Sequence, residues 1–320
     1  NSWHLVGHAC EFKKENDFKV VKICKKSVLI FKFKNSIKAF TNVCSHRGSL
    51  LKLKDSGNGK LICPYHHWTY NEKGLPYIIP YKKECEFNNN ISKLKLEEWK
   101  LEMSGDFIFI SLSNTKELKG YLGETNFSDI KNKSYFIEKK VFGESQIWNS
   151  NWKTCVENSI DEYHAIFLHK TTFKKILKLK PEYKLKKNVM NASVKINESY
   201  LKKTKILKNY FKNLSEEYHH SLIFPLSTIA TTMNHSFYIQ RYMPIDNNQT
   251  LINYDIYLPK INTKNNLKSF EKSFIKSSIE FNKTVFEEDK LVCEKVQEGL
   301  KQRNFVQPIG KYEYRINFFR

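Results

Sequence analysis

The hydrophobic pattern changes character along the chain. From Trp3 to Phe40 the apolar residues come in short β-branched and aromatic runs, WHLVGH, FKVVKI, SVLIFKF and SIKAFTNV, parted by polar residues around Cys24 to Lys26. Runs of this length and composition predict strands. A further run, GDFIFISLS, closes this region near Ser113, and from Asn114 to Ile137 interleaved Lys, Gly, Asn and Ser mark a linker. Residues 151–170, NWKTCVENSIDEYHAIFLHK, carry helical spacing: Glu157, Asp161 and His164 fall at i, i+4 and i+7 and share a face on a helix. A Lys-rich segment, 173–187, precedes the strand-like runs SLIFPLSTIATTM, SFYIQRYMPI and TLINYDIYLP. Over roughly 267–303, Phe270, Phe274, Ile275, Ile279, Val285, Phe286, Val292 and Val296 recur near the helical period and predict one long helix. The sum is an α+β chain: a small N-terminal antiparallel β domain, 1–113, then an antiparallel sheet carrying helices, 114–320.

Composition narrows the classes. At 320 residues the chain can bury a large core and suggests two domains. It has no apolar run long enough to span a bilayer, so no membrane association is expected. The opening NSWHLVGHACEF reads as foldable sequence and not as a signal peptide. The net charge of +21 raises nucleic acid as a partner, but the excess is Lys spread throughout. The arginines are Arg47, Arg241, Arg303, Arg315 and Arg320, too few for a code of phosphate and base-edge forks. No nucleic-acid partner is expected, and the charge suits docking of an acidic redox partner instead. Seven Cys is an odd number, and Cys10, Cys24, Cys85, Cys155 and Cys293 show no paired spacing. They read as reduced thiols of a cytoplasmic protein.

The densest chemistry lies in VCSHRGSLLKLKDSGNGKLICPYHHWTY, residues 43–70. Cys44 with His46, and Cys63 with His66, form two short clamps on either side of a Gly57-Asn58-Gly59 turn. Four such ligands can hold zinc tetrahedrally, although fingers place a Cys pair before a His pair. The order Cys, His, Cys, His also suits a two-iron cluster whose thiolates hold one iron and whose imidazoles hold the other.

CSHRG followed by CPYHHWTY resembles the signature CxHRG...CPYHGWTY of the Rieske non-haem iron oxygenases, catalytic subunit. The departure is His67, which stands where that family has Gly, making His67 the alternative to His66 as a ligand. NWKxxxENxxDxYHxxxxH, at 151–169, resembles the mononuclear-iron motif of the same family, and FEEDKLVCEKVQEG resembles its late EDxxxxExxQxG segment. Taken alone, the first is an amphipathic helix and the second a solvated charge cluster. His169 lies about 140° from His164 on an ideal helix, so both reach one ion only if the helix ends or distorts between them.

By the resemblance, Cys44, His46, Cys63 and His66 hold a [2Fe-2S] cluster, and His164, His169 and Asp289 complete a facial triad on Fe(II). Glu288 is the natural misalignment for Asp289, and Glu294 supports the helix or the neighbouring pocket. Asp161 takes the bridging position between His164 and the cluster His66 of an adjacent subunit in a homotrimer.

The resemblance implies an oxygenase that uses O2 to hydroxylate or demethylate a small organic substrate. Electrons come from NAD(P)H through a separate flavin/iron–sulfur reductase or ferredoxin, since no convincing Gly-rich dinucleotide loop is present. The CPYHxW and EDxxxCExxQxG pattern is closest to members acting on methylated amines, with aromatic-ring substrates as the alternative. Phe167, Phe224, Met233, Phe237, Tyr238 and Tyr242 are the expected pocket walls, and His219, His220 and His235 are expected to ligate nothing. The competing class is a Rieske electron carrier without oxygenase activity, which has no need of His164, His169 and Asp289.

Overall fold

The strands expected before Phe40 form a sheet whose innermost member explains the sequence pattern. The protein is described from a computed structural model covering residues 2–86, 90–112, 116–178, 180–262, 268–302 and 307–320. Strands β1 (His4–His8), β2 (Asp17–Ile23), β3 (Lys26–Lys32), β4 (Ile37–Thr41), β5 (Ser56–Asn58), β8 (Glu98–Ser104) and β9 (Phe107–Ser111) pair in the order β1-β9-β8-β4-β3-β2-β5. In β3, Val28, Leu29, Ile30 and Phe31 are all buried, so its two faces are both interior and the alternation there carries no signal. A two-stranded ribbon, β6 (Thr69–Tyr70) and β7 (Pro76–Ile78), completes this unit's β structure, joined through an Asn71–Gly74 turn in which Gly74 N donates to Asn71 O.

The structure departs from the sequence reading in two places here. Gly57-Asn58-Gly59 is not a free turn: Ser56–Asn58 is an edge strand paired with β2, Asp17 opposite Asn58. The linker is not a linker. The chain divides into Asn1–Ser134 and Tyr135–Arg320, later than the expected boundary after residue 113, which lies outside the described residues. Helices α1 (Leu118–Leu122) and α2 (Glu124–Ser134) belong to the first unit because their termini are tied to it. Glu102 accepts from Leu118 N, Ser104 Oγ donates to Phe127 O, and Asp106 N donates to Ser134 Oγ. Leu118, Leu122 and Ile130 bury the apolar side that the polar composition obscured.

In the second unit, seven antiparallel strands run in the order β10-β16-β15-β14-β13-β12-β11: β10 (Ile137–Trp148), β11 (Glu182–Lys186), β12 (Val189–Lys195), β13 (Glu217–Ile223), β14 (Ser227–Thr232), β15 (Ser236–Pro244) and β16 (Thr250–Pro259). The single run SLIFPLSTIATTM becomes two strands, turned at the cis Phe224-Pro225 bond where proline cannot donate to a ladder. Helices α3 (Trp152–Ser159), α4 (Phe173–Ile176), α5 (Glu198–Lys203), α6 (Lys268–Gln302) and α7 (Tyr314–Phe319) accompany the sheet. The expected long helix is α6, its 35 residues agreeing with the 3.6-residue pattern; the outer limits of the expected range, Leu267 and Arg303, lie outside the described residues. Phe286 fixes it to the sheet, its ring 4.8 Å from Trp148 and 4.0 Å from Tyr254. No described helix is long and apolar enough to cross a membrane.

Candidate active site

The two Cys/His clamps are one loop used twice. In the first, Gly48 N donates to Cys44 O at 3.0 Å and Cys44 N to Ser49 O at 2.8 Å; in the second, His67 N donates to Cys63 O at 3.0 Å and Cys63 N to Trp68 O at 2.9 Å. The fourth residue after each cysteine takes a left-handed backbone, Gly48 at φ +74° and His67 at φ +56°. The donors separate by depth. Cys44 and Cys63 are buried over a core of Leu29, Phe31, Phe40, Leu51, Leu61 and Trp68, whereas His46 is half-buried and His66 exposed. The rings of His46 and His66 lie 4.7 Å apart, and His46 stacks on Trp68 at 4.5 Å. Burial pushes the Cys44 thiol up, opposed by the Tyr70 hydroxyl at 3.0 Å from its sulfur. Tyr70 also accepts from Ser45 N, so its hydroxyl is held in place to donate to a thiolate. Paired thiols below and paired imidazoles above fit a cluster with one iron of each kind. His67 is exposed and turned out by its own backbone, so the structure groups His66, not His67, with His46.

In the second unit the expected helical face of Glu157, Asp161 and His164 does not exist. Helix α3 stops at Ser159, and a separate 3-10 turn runs from His164 to Ile166. Asp161 starts that turn: its Oδ1 accepts from Tyr163 N at 2.8 Å and His164 N at 3.3 Å. Glu157 is left on α3, where it pairs with Arg320. The break is what lets His164 and His169 converge, their Nε2 atoms 3.1 Å apart. Asp289 Oδ1 lies 3.4 Å from His164 Nε2 and 3.2 Å from His169 Nε2. Three residues after Phe286, Asp289 shares its inward face of α6.

His164, His169 and Asp289 form a group whose ligand atoms all lie within 4.8 Å, the arrangement that can hold one ion. Two further observations fit a cation there. Asp289 Oδ1 is buried and receives no hydrogen bond. Burial alone would lower the His164 pKa and raise that of Asp289, yet Asp161 and Asp289 raise His164 to about 10, and the two imidazoles hold the Asp289 carboxyl far below the usual range.

Residues 2–97 match the Rieske [2Fe-2S] domain, and residues 129–320 match the ring hydroxylating alpha subunit (catalytic domain). The chain belongs to the ring-hydroxylating alpha-subunit family. The carnitine monooxygenase oxygenase subunit of Escherichia coli (strain K12) is 26% identical over 323 residues, covering 95% of this chain and 79% of the relative. The chloroplastic choline monooxygenase of Beta vulgaris is 25% identical over 336 residues, covering 97% of this chain and 69% of the relative. A solved quaternary ammonium Rieske monooxygenase, described for carnitine oxidation and inter-subunit electron transfer, superposes with a TM-score of 0.82 at 26% identity, covering 100% of this chain and 87% of that one.

As a ring-hydroxylating alpha subunit, the chain is an oxygenase-family oxidoreductase with a Rieske [2Fe-2S] domain and a catalytic domain that uses mononuclear iron. The reading as a bare electron carrier is thereby set aside. A cavity of about 90 Å³ opens beside His164, His169 and Asp289. Of the expected walls only Tyr238 lines it; Phe173 and Tyr218 supply the other aromatic rings. Phe167 points to solvent, Met233 packs in the core with Ile176 and Val194, and Phe237 stacks on Phe136. His219, His220 and His235 stand apart from the three-residue group, though His220 borders the cavity.

Composition gave no sign of one feature, the buried pair of Glu162 and Arg315. Arg315 Nε and Nη2 donate to Glu162, while Nη1 contacts His220 Nδ1 at 3.0 Å and Met190 O at 3.3 Å. Its partners are distant in sequence, so no local spacing could have found them.

Proposed function

We propose that His164, His169 and Asp289 hold the mononuclear iron, that Cys44, His46, Cys63 and His66 hold the Rieske cluster, and that the substrate is a small methylated ammonium compound. When bound, the cluster would supply single electrons and the iron would provide the centre for O2 chemistry. The remaining work belongs to this chain's side chains. With their Nδ1 atoms facing Asp161 and Glu288, the two imidazoles turn Nε2 toward Asp289, and it is Nε2 that would ligate the iron. Phe173, Tyr218 and Tyr238 line the cavity, and an aromatic ring there would attract a desolvated cation by about 2 kcal/mol. The carrying observation is the convergence of two imidazoles and one carboxylate at the edge of a small, aromatic-walled cavity.

Asp161 is assigned as the bridge that orients His164 and accepts from His66 of a neighbouring subunit, which makes the active form a homotrimer. Its Oδ2 lies 3.4 Å from His164 Nδ1. Electrons reach the cluster from NAD(P)H through a separate reductase or ferredoxin. A cytoplasmic setting is supported by the seven cysteines, none of which forms a disulfide.

The test is NADH-coupled oxygen uptake with product analysis, using a compatible reductase, across choline, carnitine, other methylated ammonium compounds, methoxy-aromatics and aromatic acids. Product formation is expected from methylated ammonium compounds; coupled turnover of aromatic acids alone would overturn the substrate class. Asp161→Asn should keep both metal centres and lose turnover, and a fully active monomer would overturn the bridge.

A further inference from the structure

We propose that Glu288, the residue before the assigned ligand Asp289, is a positioning residue that sets which nitrogen of His169 faces the metal. The inference rests on the reading of His164, His169 and Asp289 as ligands. His169 has two chemically distinct sides. Its Nε2 faces Asp289 Oδ1 at 3.2 Å and His164 Nε2 at 3.1 Å. Its Nδ1 faces Glu288 Oε2 at 2.7 Å.

An ionised carboxylate only accepts, so this contact requires the hydrogen on Nδ1 and leaves Nε2 as the lone-pair donor. Glu288 therefore selects the tautomer that can ligate and stops the ring from flipping. The same geometry removes Glu288 as a ligand, because its oxygen meets the face of the imidazole opposite Asp289. Consecutive helix residues lie about 100° apart, which lets one turn of α6 place a carboxylate on each side of one ring.

The two imidazoles are held unequally. Asp161 Oδ2 stands 3.4 Å from His164 Nδ1, and its Oδ1 is already engaged by Tyr163 N and His164 N. Glu288 shows no such division: its short contact is to His169, whose side chain is 1% exposed. His169 is consequently the ligand fixed in place before metal enters.

The experiment measures Fe(II) affinity of the mononuclear site by ferrozine competition, counting iron released while the visible absorption of the cluster is unchanged. Glu288→Ala should weaken retention roughly 10- to 100-fold, and Glu288→Gln, which keeps an acceptor oxygen, should recover most of that loss. Glu287→Ala, whose carboxylate meets Gln146 instead, should match the native protein. Glu288→Ala within threefold of native, or Glu288→Gln as weak as Glu288→Ala, would overturn the inference. His169→Ala separates the two claims: unchanged iron binding there defeats the ligand assignment, whereas its loss beside an indifferent Glu288→Ala defeats the positioning role alone.

Discussion

His67→Gly should make the cluster-bearing unit more stable without disturbing the cluster. Both clamp loops use a left-handed residue four positions after their cysteine, and the first places Gly48 there. A side chain in that conformation costs about 1–2 kcal/mol, with histidine near the lower end. Replacing it by glycine returns about 0.4–1 kcal/mol to the unfolded chain as added freedom. With histidine near 1 kcal/mol the net gain is about 0–0.6 kcal/mol, a rise of up to about 2–3 °C in the melting of a domain of this size. Little else changes: the imidazole is exposed, and the hydrogen bond that Thr69 Oγ1 donates at 3.2 Å goes to the His67 backbone carbonyl, which glycine retains. The assay is thermal bleaching of the cluster's visible absorption, with His66→Gly as the comparison that should lose the cluster. A His67→Gly protein that melts lower than the native one, its cluster intact, would refute the strain argument. Loss of the cluster from His67→Gly would reverse the assignment of the two histidines.

Two further outcomes follow from buried charge. Arg315→Met strands the Glu162 carboxylate beside Asp161 and should cost about 3–5 kcal/mol of stability, read from urea denaturation; the double variant with Glu162→Gln should recover the part due to the stranded carboxylate, leaving the loss of the contacts that the fully buried guanidinium makes to His220 and Met190 O. Acid should also weaken the fold through His235, which burial holds at about 4 in place of 6.5. Because the folded value is the lower one, this contribution is complete above pH 6.5 and is lost as pH falls toward 4, reaching about 2 kcal/mol by pH 5. His235→Gln should flatten that part of the difference between urea midpoints at pH 7.5 and 5, leaving the share of His220, whose pKa burial and Arg315 also depress.

What could be read from the sequence was what is local. Each clamp is a loop closed within six residues, so the spacing of Cys44 and His46, and of Cys63 and His66, already encodes its geometry. The β-branched runs marked most strands for the same reason. A polar surface hides a one-sided apolar face in α1 and α2, where Leu118, Leu122 and Ile130 are diluted by Lys, Asn and Ser to the composition of a linker. The helix through Asp161 was overextended because periodicity cannot see a side chain competing for backbone N–H groups, which is what Asp161 does to Tyr163 and His164.

The acidic run on α6 shows the limit most clearly. In sequence, Glu287, Glu288 and Asp289 are interchangeable members of a charged patch, and Glu294 and Gln297 look like more of the same. In the fold each meets a different partner. Glu287 accepts from Gln146, Glu288 meets His169 Nδ1, and Asp289 faces both Nε2 atoms. Glu294 and Gln297 accept from the backbone N–H groups of Asn149 and Asn151 at the start of α3. The last two bonds tie α6 to the segment that leads into α3 and on to Asp161 and His164, so α6 both supplies carboxylates to the pocket and is anchored to the strand end that precedes its imidazoles. A charge count cannot distinguish those tasks, because they depend on angle around the helix and on partners more than a hundred residues away.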